Sequence, residues 1–229
     1  MTSMPPKLPA LVIMVSLSFF SSLPVFAQST SGASSHNRPT TIYFLRHAES
    51  TQSSHNNCDT GDCSEELSDK GLHRANLLAS WFLERRVLQT LDAVFTSQKY
   101  STYQTVLPTA TLADLDVTQL PVDNKDLNPQ ITECATIDAI LNTPAGDTVL
   151  VAGDSSTLYN IMGDGNGSCT GLGLLTDDDP GSHRFPKDSN GNVRDYGDVW
   201  KVAIRGDQAR FVYRVNLETT QLTVIDRAR

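Results

Sequence analysis

The run Thr41-Ile42-Tyr43-Phe44-Leu45 passes straight into Arg46-His47-Ala48-Glu49. Ile42 to Leu45 are all apolar, with β-branched and aromatic residues among them, which is the composition of a strand buried on both faces. A strand of this kind belongs inside a sheet, and it constrains the fold more than any other segment. It ends on a cation, an imidazole and, two residues on, a carboxylate. In open α/β sheets, ligands bind beyond the carboxyl ends of the strands. Arg46 can grip an oxyanion with two parallel hydrogen bonds. A neutral His47 can attack phosphorus, and Glu49 can hold or tune both groups. Four residues alone also match by chance, so the rest of the chain decides.

The remaining segments alternate between strand and helix. A helix is predicted over Asp69–Val87, with Ser68 as N-cap and Leu72, Ala75, Leu78, Ala79 and Phe82 on its apolar face. Strand Ala93–Thr96, a helix around Ser101–Thr109 and a short strand Val117–Leu120 follow. Residues 131–141 read as a helix ended by Pro144-Ala145-Gly146. Residues 148–152 form the most apolar strand. Residues 163–197 read as a long loop rich in Gly, Asp, Asn and Pro. Val199–Ile204 and Arg210–Val215 read as an antiparallel pair around Arg205-Gly206-Asp207, with a last short strand over Leu222–Ile225. The alternation predicts an α/β three-layer sandwich, a mostly parallel central sheet with helices on both faces.

Residues 1–27 have the make-up of an export signal. Lys7 precedes an apolar stretch, Ala10 to Phe20, and Val25-Phe26-Ala27 precede a cleavage point. The apolar stretch is too short for a membrane span. Residues 28–40 are a polar, Ser-rich linker expected to be disordered, and residues 41–229 form one domain. The expected location is periplasmic or secreted. The 229-residue chain has formal charge −8, and losing Lys7 with the leader makes it one unit more negative. That argues against nucleic acid and anionic membrane surfaces as partners. Four cysteines, Cys58, Cys63, Cys134 and Cys169, point to disulfides in an exported chain. Of the three pairings, Cys58–Cys63 is preferred because it closes a short loop of Asn, Asp and Gly, which leaves Cys134 with Cys169. The rival for the first pair is a metal site of His55, Cys58 and Cys63, whose spacing is unlike the usual zinc patterns. No metal is expected.

Arg46-His47-Ala48-Glu49 after a first strand resembles the signature of the histidine phosphatase superfamily, also called the phosphoglycerate mutase-like family. The resemblance continues in order along the chain. Leu67-Ser68-Asp69-Lys70-Gly71-Leu72-His73-Arg74-Ala75 is similar to the segment opening the family's first helix. Val94-Phe95-Thr96-Ser97 with Gln104-Thr105 is similar to the second strand and the helix behind it. Thr148-Val149-Leu150-Val151-Ala152-Gly153 resembles the strand that carries a second catalytic histidine, and Tyr196-Gly197-Asp198-Val199-Trp200 a late strand of the small members.

The resemblance implies phosphoryl transfer through phosphohistidine on a small phosphorylated molecule, without a cofactor. His47 matches the nucleophile and Arg46 the first arginine of the phosphate clamp. Glu49 and Asp154 are the further catalytic candidates, and Ser101 and Ser155 the further substrate-binding ones. Two positions depart from the family's pattern. Ser101 stands where the resemblance implies a second clamp arginine, and Asp154 where it implies the second histidine. Serine carries no charge, and an ionised aspartate faces phosphate with the same sign. Lys99, His55 and His183 are the candidate substitutes, and Asp123, Asp126 and Glu133 the candidate general acids. Two readings follow: a phosphomonoesterase with a rearranged pocket, or a catalytically inactive member that binds a ligand or partner in the same cleft.

Overall fold

The computed structural model describes residues 38–51, 66–120, 129–165, 167–174, 196–206, 208–220 and 222–224. The expected leader, the expected linker up to residue 37, His55, Cys58, Cys63, Asp123, Asp126 and His183 lie outside the described residues. In chain order the elements are β1 (Thr40–Arg46), α1 (Asp69–Glu84), β2 (Ala93–Ser97), α2 (Tyr100–Ala113), β3 (Val117–Leu120) and α3 (Pro129–Leu141). They continue with β4 (Thr148–Gly153), α4 (Ser155–Met162), β5 (Asp198–Arg205), β6 (Gln208–Asn216) and β7 (Leu222–Val224). One seven-stranded sheet joins the strands in the order β3-β2-β4-β1-β5-β6-β7. The half from β3 to β1 is parallel, and β5, β6 and β7 extend it antiparallel.

Strand alternation builds two cores. Ile42, Phe44, Val149, Val151, Trp200 and Val202 face one side, where α3 and α4 contribute Ile137, Ile140, Leu158, Ile161 and Met162. Tyr43, Leu45, Leu150, Ala152 and Val199 face the other, against Leu78, Trp81 and Phe82 of α1 and Val106 and Ala110 of α2. Period-two alternation explains why a single apolar run serves both layers. The three-layer α/β reading therefore holds.

Most boundaries fall within a few residues of those expected. β1 takes in Thr40, whose hydroxyl donates to the Pro144 carbonyl. α1 stops at Glu84 rather than Val87, because Arg86 turns left-handed at φ 58°. α4 is an addition within a segment the sequence reading left unassigned. Its signal is Leu158, Ile161 and Met162 at helical spacing between Asp154 and Gly163. The expected apolar face of α1 needs one correction: Leu72 is 45% exposed, and the buried stripe runs through Gly71, Arg74, Ala75, Leu78 and Phe82 instead.

Gly71 explains the rotation of that stripe. Ser68 caps α1 by accepting from the Gly71 N–H, while its own N–H and hydroxyl both donate to the Glu49 carbonyl. This draws the helix start onto the signature, and a Cβ at position 71 would overlap the Glu49 carbonyl oxygen. Gly71→Ala is therefore expected to destabilise the protein by about 1–3 kcal/mol. A urea midpoint unchanged from wild type would contradict that contact.

Cys134 of α3 and Cys169 behind α4 stand at disulfide distance, with Cα atoms 5.5 Å apart. No described helix is long and apolar enough to cross a membrane.

Candidate functional site

β1 and β4 are adjacent, parallel and in register, with Arg46 opposite Gly153. His47 and Asp154 therefore leave the sheet side by side at its carboxyl end. The His47 N–H donates to the Gly153 carbonyl at 3.0 Å. Backbone pairing brings together two residues that lie far apart in sequence.

The His47 ring is buried. Its Nδ1 lies 2.7 Å from the Ala48 carbonyl oxygen. A carbonyl only accepts, so Nδ1 carries the proton and Nε2 keeps its lone pair. Nε2 points toward Asp154, 3.8 Å from Oδ1. Burial lowers the His47 pKa below its ordinary value. The Asp154 carboxylate and the Ala48 carbonyl pull it back up, while Arg46 and Lys99 push it down. The net direction favours a neutral imidazole.

Arg46 meets Tyr196. Its Nη2 donates to the tyrosine hydroxyl at 2.9 Å, and its guanidinium carbon lies 3.8 Å from the ring centroid. The same ring stands edge-on to His47, with centroids 5.7 Å apart. Tyr196 therefore touches both signature residues and fixes the plane of the guanidinium.

The ends of β2 and β4 each feed a helix. Lys99 is the N-cap of α2 and Asp154 the N-cap of α4. Lys99 Nζ donates to Asp154 Oδ1 at 2.9 Å. First-turn N–H groups lack intrahelical partners and favour anions, so two helix starts converge beside His47. Thr105 of α2 fixes the loop after the histidine, because its hydroxyl accepts from the Ala48 N–H at 2.9 Å. Gln104 accepts from the Leu67 N–H at 2.8 Å.

Glu49 turns away from His47 and toward α1. Arg74 grips both its oxygens, at 2.7 and 2.6 Å, and Lys70 adds a third contact at 3.0 Å. Burial pushes the Glu49 pKa up. The hydrogen bonds from Arg74 and Lys70 outweigh it and hold the carboxyl at about 2. Arg74 is itself buried and packs on Gly197, where a Cβ would overlap the guanidinium. Gly197 directly follows Tyr196, so the turn that packs on Arg74 also carries the ring that meets Arg46.

The other candidates are placed as follows. Ser101 is 1% exposed, and its hydroxyl has no hydrogen-bond partner among the described residues. Ser155 opens α4 and is half-buried. Glu133 is buried on α3, where it accepts from the Asn160 amide at 2.8 Å. Lys99, one of the candidate substitutes, is partly exposed and bonds Asp154. Tyr196 had no assigned role in the sequence reading. It lies 150 residues from Arg46, and no local pattern announces the pairing.

No model of a known protein family matches the chain, and no curated protein matches it. Solved structures do. SixA from Agrobacterium tumefaciens is 16% identical, aligned over 83% of this chain and 99% of its own, with a TM-score of 0.50. The protein histidine phosphatase SixA complexed with tungstate is 13% identical over 79% of this chain and 99% of its own, TM-score 0.48. A phosphoserine phosphatase from Entamoeba histolytica, in complex with 3-phosphoglyceric acid, is 14% identical over 76% and 96%, TM-score 0.47. At such identities the likeness concerns the fold. The chain shares the α/β fold of SixA from Agrobacterium tumefaciens, in keeping with the sandwich expected from its sequence.

Proposed function

We propose that this protein is an exported phosphomonoesterase that hydrolyses small phosphorylated molecules through a phosphohistidine at His47. The observation that carries this reading is the buried His47, its Nδ1 proton held by the Ala48 carbonyl so that Nε2 keeps its lone pair, with Arg46 and Lys99 near enough to lower its pKa. Nε2 attacks phosphorus, the ester P–O bond breaks, and the leaving oxygen takes a proton from solvent water. Water then attacks the phosphohistidine, the N–P bond breaks, and inorganic phosphate departs with His47 neutral again. Arg46 binds the phosphoryl oxygens, with its plane set by Tyr196. Glu49 is a positioning residue, anchoring the signature to α1 through Arg74. Glu133 is less suited to general acid than its sequence suggests, since Asn160 already bonds it inside the helix layer. The leader and the Cys134–Cys169 pair support export into an oxidising compartment.

One observation favours the second reading, ligand binding without turnover. Asp154 Oδ1 sits 3.8 Å from Nε2, close to the space an incoming phosphoryl group needs. Hydrolysis of an aryl phosphate by the purified protein separates the two, together with radiolabel trapping at alkaline pH, because phosphohistidine is acid-labile. Label and turnover are both expected, and both should vanish in His47→Ala. Activity that survives that substitution places the chemistry elsewhere. Oxyanion binding without label or turnover establishes the second reading.

A further inference from the structure

The residues that head α2 and α4 break local rules in a complementary way. Lys99 occupies an N-cap, where Ser, Thr, Asp and Asn are preferred and a cation opposes the helix dipole. Asp154 is a favoured N-cap type, yet its side chain makes no cap hydrogen bond. It is directed at Lys99 and His47 instead. A partly exposed ion pair contributes at most about 1 kcal/mol, and the Lys99 side chain is 40% exposed. Two forgone caps cost about 1 kcal/mol each, so stability does not account for the arrangement. Choices that break local rules without such a gain concentrate where a protein functions.

We infer that Lys99 is the second anion-binding cation of this site, held in reserve by Asp154 and transferred to the phosphoryl group when substrate arrives. The inference rests on the function proposed above. Both Lys99 Nζ and His47 Nε2 are directed at the same atom, Asp154 Oδ1. A phosphoryl oxygen entering beside Nε2 comes within reach of the ammonium without displacement of the backbone.

That backbone is pinned. The Lys99 N–H donates to Ser97 Oγ, the Lys99 carbonyl accepts from the Thr102 hydroxyl at 2.7 Å, and the Ser97 and Thr102 hydroxyls are bonded to each other at 2.9 Å. Beyond this anchor the four-carbon stem is free to swing. A recess of about 40 Å³ adjoins it, lined by Ser97, Lys99, Thr132, Asp154, Ser156 and Thr157. With His47 neutral, Arg46, Lys99 and Asp154 leave one net positive charge. Releasing Lys99 from Asp154 sets a mobile, strongly hydrated point charge against a dianion.

Calorimetric titration of the purified protein with orthovanadate tests this. Asp154→Asn is expected to bind about tenfold tighter than wild type. In that background Lys99→Met should weaken binding by about tenfold or more, because a charge-assisted contact is lost. Lys99→Arg should stay within about threefold of wild type. If Lys99→Met costs less than about threefold in the Asp154→Asn background, Lys99 only neutralises Asp154 and the inference falls. Arg46→Ala serves as the separate control. Binding indifferent to Arg46 removes the proposed phosphate site itself, and the role of Lys99 with it. Lys99 is partly exposed, so its variants are expected to fold, and matched thermal midpoints will verify that.

Discussion

Glu49→Ala is expected to destabilise the protein by about 3 kcal/mol, although Glu49 belongs to the signature that carries the proposed chemistry. Arg74 is 5% exposed, and Glu49 is its bidentate partner. Removing one member of a buried pair leaves the other charge uncompensated, at about 3–5 kcal/mol. Glu218 also bonds Arg74, at 2.7 Å, so the lower end applies. In a domain of this size that is a fall of roughly 6–12 °C in Tm. Acid will act through the same pair. The Glu49 pKa is depressed from 4.5 to about 2 in the folded state, so its contribution is present above pH 4.5 and lost as pH falls toward 2. Wild type should lose stability over that window, and Glu49→Gln should show a flatter profile there. A variant as stable as wild type at pH 7 would mean that Glu218 alone satisfies Arg74.

This result bears on how the signature should be understood. Arg46 and His47 meet Tyr196 and Asp154 at the end of the sheet, whereas Glu49 ties the loop behind them to α1. The tie extends from Arg74 through Gly197 to Tyr196, which returns to Arg46. The short motif is therefore one arc of a ring closed by distant residues.

Sequence reasoning reached the fold because its signals are periodic and local. The alternation in Ile42–Leu45 and 148–152, the cap at Ser68 and the helical spacing on α1 each follow from neighbouring residues. Leu72 was misplaced because Gly71 and Arg74 share the stripe that faces the signature, and neither residue type advertises burial. Asp154 was placed beside His47 by resemblance, and the β1–β4 register gives the physical reason. The Lys99–Asp154 and Arg46–Tyr196 contacts span 55 and 150 residues. Contacts of that separation are set by tertiary packing, and no window of sequence contains them.

Asp154→His is expected to raise kcat/KM for an aryl phosphate by about 10²-fold. Like charges about 4 Å apart repel by about 4 kcal/mol at an effective dielectric of 20, and Lys99 already offsets part of this in the wild type. The substitution removes the repulsion, frees Lys99 and adds a donor of the kind worth roughly 10²–10³ in rate. It also removes a carboxylate that raises the His47 pKa, so the acid limb of the pH profile should move to lower pH. Ser101→Arg is expected to behave differently, although the resemblance implies a clamp residue at both positions. Ser101 is buried, at 1% exposure, so the larger side chain overpacks the first turn of α2 at a cost of about 1–3 kcal/mol. Any cation it does present will pair with Asp154 before it meets substrate. With Asp154 replaced that pairing is lost, so the double variant should be at least as fast as Asp154→His while carrying the lowered stability of Ser101→Arg. A folded Asp154→His enzyme no faster than wild type would show that Asp154 does not oppose the phosphoryl group. A slower one would show that the carboxylate takes part in the reaction, with Lys99 bonded to it and His47 receiving the phosphoryl group beside it.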